Sequence, residues 1–94
     1  MEAKFIAAWA RARQEAARLG VRIRDVEPGD AMKAAHRSLS GNRVSEGFFP
    51  LADKKRLDLT LEALAVDKRF TALFSDEEAD RALERLLANG YTFI

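Results

Sequence analysis

The sequence predicts a small, mainly α-helical single domain, and three observations carry that expectation. Apolar residues recur at steps of three and four near both ends, Ala and long polar side chains fill the intervening positions, and a capping motif opens the last helix. With 94 residues the chain has room for one core, so residues 1–94 are read as one compact domain. Hydrophobic residues at 48% and charged residues at 33% fit a globular chain that buries a core, not a disordered tail.

Taking the elements in order, Phe5, Trp9, Ala12, Ala16 and Leu19 follow a helical period, so a long helix is expected from Glu2 to Leu19. Gly20 stands where a left-handed C-terminal cap belongs. Val21-Arg22-Ile23-Arg24 then alternates apolar and basic, and Tyr91-Thr92-Phe93-Ile94 is rich in β-formers. An α+β variant follows, in which a short two-stranded ribbon pairs residues 21–24 with 91–94. Asp30 is expected to cap a helix from Ala31 to about Leu39. Val44 to Leu51 reads as an ordered loop, because Pro50 lacks a donor and restricts Phe49.

Ala52 to Val66 reads as mainly helical, with Leu57, Leu61 and Leu64 on one stripe and a break near Asp58 or Thr60, either of which can cap a restart. Phe70, Leu73 and Phe74 sit on a short turn. Ser75-Asp76-Glu77-Glu78 has the spacing of a reciprocal capping box, and Ala79, Ala82, Leu83, Leu86 and Leu87 are expected inside the helix that follows. Asn89-Gly90 closes it. The expected core is Phe5, Trp9, Leu39, Leu57, Leu61, Leu64, Phe70, Leu73, Phe74, Leu83, Leu86 and Leu87.

The inventory for catalysis is thin. Zero Cys removes disulfides, thiolate nucleophiles and cysteine-ligated metals, and the single His36 sits beside Met32 and Leu39 at helical spacing, the setting of a partly buried structural histidine. The acidic run Asp76, Glu77, Glu78 and Asp80 lacks calcium-loop spacing, and the five glycines form no phosphate-loop pattern. No enzyme activity, cofactor, metal or small-molecule substrate is expected. The apolar run Phe5 to Ala10 is six residues, too short to span a membrane, and without cysteine nothing points to an exported disulfide scaffold, so a cytoplasmic protein is expected.

Charge is distributed unevenly along the chain. Residues 1–24 carry six basic and two acidic side chains, whereas residues 57–94 carry four and eight. The expected function is protein–protein interaction, with another protein or a second copy of the chain, as adaptor, regulator or inhibitor. Phe48 and Phe49 are the candidate protein contacts. The alternative is an accessory nucleic-acid-binding protein that uses the basic N-terminal segment. Candidate contacts to an anionic partner are Arg11, Arg13, Arg18, Arg22, Arg24 and Arg43, the last on a Gly/Asn loop whose amides suit an anion nest.

Overall fold

Local sequence signals set most helix boundaries. A computed structural model describes residues 1–91 as five α-helices: α1 Glu2–Arg18, α2 Ala31–Ser40, α3 Phe48–Asp53, α4 Leu61–Ala65 and α5 Asp76–Ala88. Three 3₁₀ turns, Pro28–Asp30, Leu57–Leu59 and Thr71–Leu73, link them, and there is no strand among the described residues. None of these helices is long and apolar enough to cross a membrane.

The expected ribbon does not form, and the helix ends explain why. Gly20 adopts φ +87°, and behind it Gly20 N–H donates to Ala17 O at 3.0 Å while Val21 N–H donates to Ala16 O at 2.9 Å. Gly90 repeats the geometry at φ +85°, with Gly90 N–H on Leu87 O at 3.3 Å and Tyr91 N–H on Leu86 O at 3.0 Å. Both are paired glycine caps that satisfy carbonyls left open by the helix end. The first residue of each expected strand thus gives its amide back to its own helix. Residues 21–27 run without strand structure, Arg24 N–H donates to Glu46 Oε1 at 2.6 Å, and residues 92–94 of the other arm lie outside the described residues.

The N-terminal caps are mixed. Thr60 caps α4 through Ala63 N–H at 3.1 Å, and Ser75 with Glu78 forms the reciprocal box on α5. Asp30 does not cap α2; it is the last residue of a 3₁₀ turn, in right-handed conformation with no side-chain cap bond. The stretch expected as a loop contains α3, because Pro50 stands at the third helical position, where its missing N–H has no intrahelical partner to lose. Gly47 precedes it at φ +81°, and a Cβ there would lie 2.7 Å from Ile23 Cγ1. Only glycine fits that position without strain.

The core centres on Phe5, whose ring lies 5.5 Å from Phe70, 5.3 Å from Phe74 and 5.9 Å from Trp9. Fully buried Ala35, Ala65 and Ala82 let the helix backbones approach closely around it. Smaller clusters form at Ala16, Val21 and Leu51, and at Phe48, Leu57 and Leu86. Nine of the twelve expected core residues are buried; Leu73 and Leu83 are half-buried, and Leu87 is 55% exposed. The inner row of α5 is Glu78, Ala82 and Leu86, an i, i+4 series; Ala82 and Leu86 belong to the expected stripe, while Glu78 is not expected there.

Candidate functional site

Two buried carboxylates organise the scaffold beneath the surface. Glu62 on α4 is 0% exposed and accepts from Ser45 N–H at 2.8 Å, from the Ser45 hydroxyl, and from Arg85 Nη1 at 3.2 Å. Arg85 also donates to Gly41 O at 2.7 Å and Ser38 O at 3.4 Å, and Arg81 to Ser40 O at 3.2 Å. Arginines of α5 therefore cap the C-terminal end of α2, where cations are favoured. In the loop expected to offer an anion nest, the Ser45 amide is taken by the protein's own Glu62 carboxylate, and Gly41 is extended at φ −82°, ψ 179°.

The second carboxylate is Glu78. Its Oε1 accepts from Ser75 N–H at 2.9 Å and its Oε2 from His36 Nδ1–H at 2.7 Å. Burial works to raise this carboxyl, but the bonds from Ser75 and His36 together hold it below its ordinary value. His36 also packs its ring 5.2 Å from Phe74. His36 is partly buried and hydrogen-bonded, as expected, and its bond to Glu78 joins α2 to α5.

The candidate arginines are dispersed. Arg13 is 7% exposed, its guanidinium 4.8 Å over the Trp9 ring, so it is a core residue and not a surface contact. Its Nε and Nη1 are buried without a hydrogen-bond acceptor, and Asp25 Oδ1 stands 4.0 Å away, too far for one. Burial pulls this guanidinium below its ordinary value, against a smaller opposing pull from Asp25. Arg18 pairs with Glu15 at 3.5 Å and Arg24 with Glu46 at 3.2 Å. Arg22 is exposed on the 21–27 segment, and Arg43 lies beside Arg37 on a shallow cleft of about 400 Å³.

The two phenylalanines also separate. Phe48 is 0% exposed and packs with Leu57 and Leu86, so its candidacy as a protein contact is corrected. Phe49 is 57% exposed, edge-on to Phe48 at 5.7 Å. One ring anchors α3 and the other faces solvent.

Arg11, like Arg24 and Arg43, lines a cleft. A cleft of about 600 Å³ lies along α1, with an apolar floor of Met1, Ala7 and Ala8 above the buried Phe70, and Lys4, Arg11 and Arg69 around it. It adjoins a further cleft of about 280 Å³ that shares Ala8, Arg11 and Arg69 and continues past Leu59 and Leu64 to Glu15 and Asp58. Arg69 is clamped by Asp67 at 3.1 Å, lies 4.8 Å over Phe70, and holds the Asp67 carboxyl below its ordinary value. Lys4 and Arg11 are exposed and enter no ion pair among the described residues. They stand seven residues apart on α1, about 10.5 Å along its axis.

A further cleft of about 450 Å³ lies between the 23–26 segment and α2, lined by Trp9, Arg24, Asp25, Arg37 and Glu46 among others. Its charges are mixed, and Arg24 and Glu46 pair across it. The reading of the sequence missed Glu62, Arg85 and Arg69. Glu62 lies in the apolar run Leu61 to Leu64, and a lone carboxylate in such a run was the available signal. No family model matches the chain, and neither a curated protein nor a solved structure matches it.

Proposed function

We propose that this chain is a small non-enzymatic helical protein that works by binding other proteins, as adaptor, regulator or inhibitor, in the groove along α1. One observation carries the reading: an apolar floor at Met1, Ala7 and Ala8 lies beside two cations, Lys4 and Arg11, that enter no ion pair among the described residues. An amphipathic helix with an acidic flank satisfies both at once, its apolar side on the floor and its carboxylates on the wall. Phe49 is a second candidate contact, on α3. His36, engaged by Glu78 and Phe74, supports a structural role for the one imidazole. A cytoplasmic location is part of the same proposal, as the default for a chain without a disulfide framework.

Nucleic-acid binding through the same segment is the alternative, and less supports it. Phosphate backbone has no apolar side for the floor, and Glu15 and Asp58 close the far end of the groove with the wrong sign. Fluorescence anisotropy decides between them. A labelled acidic amphipathic helical peptide and a labelled DNA duplex are each titrated with the protein at low salt. The peptide is expected to bind, with affinity falling about tenfold or more in Lys4→Glu/Arg11→Glu. Binding of the duplex alone would replace this reading with the alternative.

A further inference from the structure

Helix α5 turns an unpartnered acidic side outward. Asp76, Glu77, Asp80 and Glu84 are exposed and enter no ion pair among the described residues, and Leu87 stands among them 55% exposed. At 100° per residue, Glu77, Asp80, Glu84 and Leu87 follow one another at steps of three, four and three, so they form one ridge. Half-buried Leu83 lies at its edge, one turn before Leu87. Glu77 and Glu84 are seven residues apart, the spacing that separates Lys4 and Arg11 on α1. Both pairs therefore project at the same interval, about 10.5 Å.

We infer that the groove along α1 takes the α5 ridge of a second copy of this chain. This rests on the groove being a protein-binding site and names its occupant. Glu77 and Glu84 of one copy meet Lys4 and Arg11 of the other, and Leu87 covers the apolar floor beside Phe70. The contact joins two different surfaces, so two copies close reciprocally or further copies add head-to-tail. Charge supplies both register and direction, and salt weakens the contact because the pairs lie at the surface, where the Debye length is about 10 Å at 0.1 M.

Sedimentation of the full chain tests the inference through charge inversion. Groove variant Lys4→Glu/Arg11→Glu and ridge variant Glu77→Arg/Glu84→Arg alter exposed residues only, and far-UV circular dichroism checks that each stays folded. Wild type is expected to associate at low salt and to dissociate as salt rises. Each variant alone sets like charge against like, and its association is expected to weaken about tenfold or more. An equimolar mixture of the two restores opposite charges at both contacts and is expected to associate as wild type does. A wild type that stays monomeric at about millimolar concentration and low salt overturns the inference, as does association unchanged in both variants, or loss that mixing does not restore. If acidic-peptide binding persists while the chain stays monomeric, the occupant is wrong and the groove stands; if the peptide also fails, the groove reading falls with it.

Discussion

Two buried charges, Glu62 on α4 and Arg13 on α1, are treated in opposite ways. Glu62, between α4 and α5, has each carboxylate oxygen engaged by Ser45 or Arg85. Arg13, on α1, has two buried nitrogens with no acceptor and only the Trp9 face beneath it. A buried ion loses hydration worth several kcal/mol, and hydrogen-bonded partners are what offset that loss. The α4–α5 side is therefore held by a specific polar network that fixes the 41–47 loop. On the α1 side the charge is kept by packing, the Trp9 face and the Asp25 carboxylate 4.0 Å away, with no hydrogen bond to either buried nitrogen.

That difference sets the largest expected effect. Glu62→Ala leaves Arg85 buried without its carboxylate and is expected to cost about 3–5 kcal/mol in urea denaturation. A cost under about 1 kcal/mol would erase the contrast. Leu86→Ala, in the cluster with Phe48 and Leu57, is expected to cost about 2–5 kcal/mol, while Leu87→Ala, largely exposed, stays within about 0.5 kcal/mol. Equal losses at the two leucines would show that the inner row of α5 is wrongly placed.

Gly47→Ala sharpens the same side of the comparison. It forces a side chain into a left-handed conformation and against Ile23, so a loss of roughly 1–3 kcal/mol is expected by thermal or chemical denaturation. Glu78, held separately by Ser75 and His36, gives stability a pH signature. Its folded value lies below the ordinary glutamate value of about 4.3, so its contribution is complete above that pH and is lost as pH falls through the lower folded value. Denaturation midpoints measured from pH 6 down to about 3 should fall, and Glu78→Gln should lessen that fall. A variant with the wild-type slope would remove Glu78 from the account.

Arg13→Met is expected to change stability little. It keeps the apolar stem and removes two unsatisfied donors, so stability should stay within about 1 kcal/mol of wild type or rise. A loss near that of Glu62→Ala would mean Arg13 is satisfied after all, and the two sides would no longer differ.

Features set by adjacent residues were the legible ones. The Ser75–Glu78 box, the Thr60 cap and the Phe5–Trp9 stripe need no knowledge of distant chain, and all three are present. Val21 and Tyr91 were misread because a residue after a glycine cap and the first residue of a strand look alike in sequence. What separates them is whether the amide turns back to the helix. On α5, Ala82 and Leu86 lie inside as expected, whereas Leu87 is exposed and Glu78 takes a place on the inner row, because the bonds that satisfy a buried carboxylate arise only in the folded chain. For the site, Arg11 was legible as a basic residue on an outer helical face. Its groove was not, since Arg69 and Phe70 come from a segment nearly sixty residues further on.

The most direct test of the groove is amide chemical-shift mapping of the labelled protein titrated with an acidic amphipathic helical peptide. Shifts are expected at Lys4, Ala7, Ala8, Arg11 and Phe70, with the 41–47 loop and the interior of α4 unmoved. Perturbation confined to Phe49 and the rest of α3, or none at all, would contradict the account.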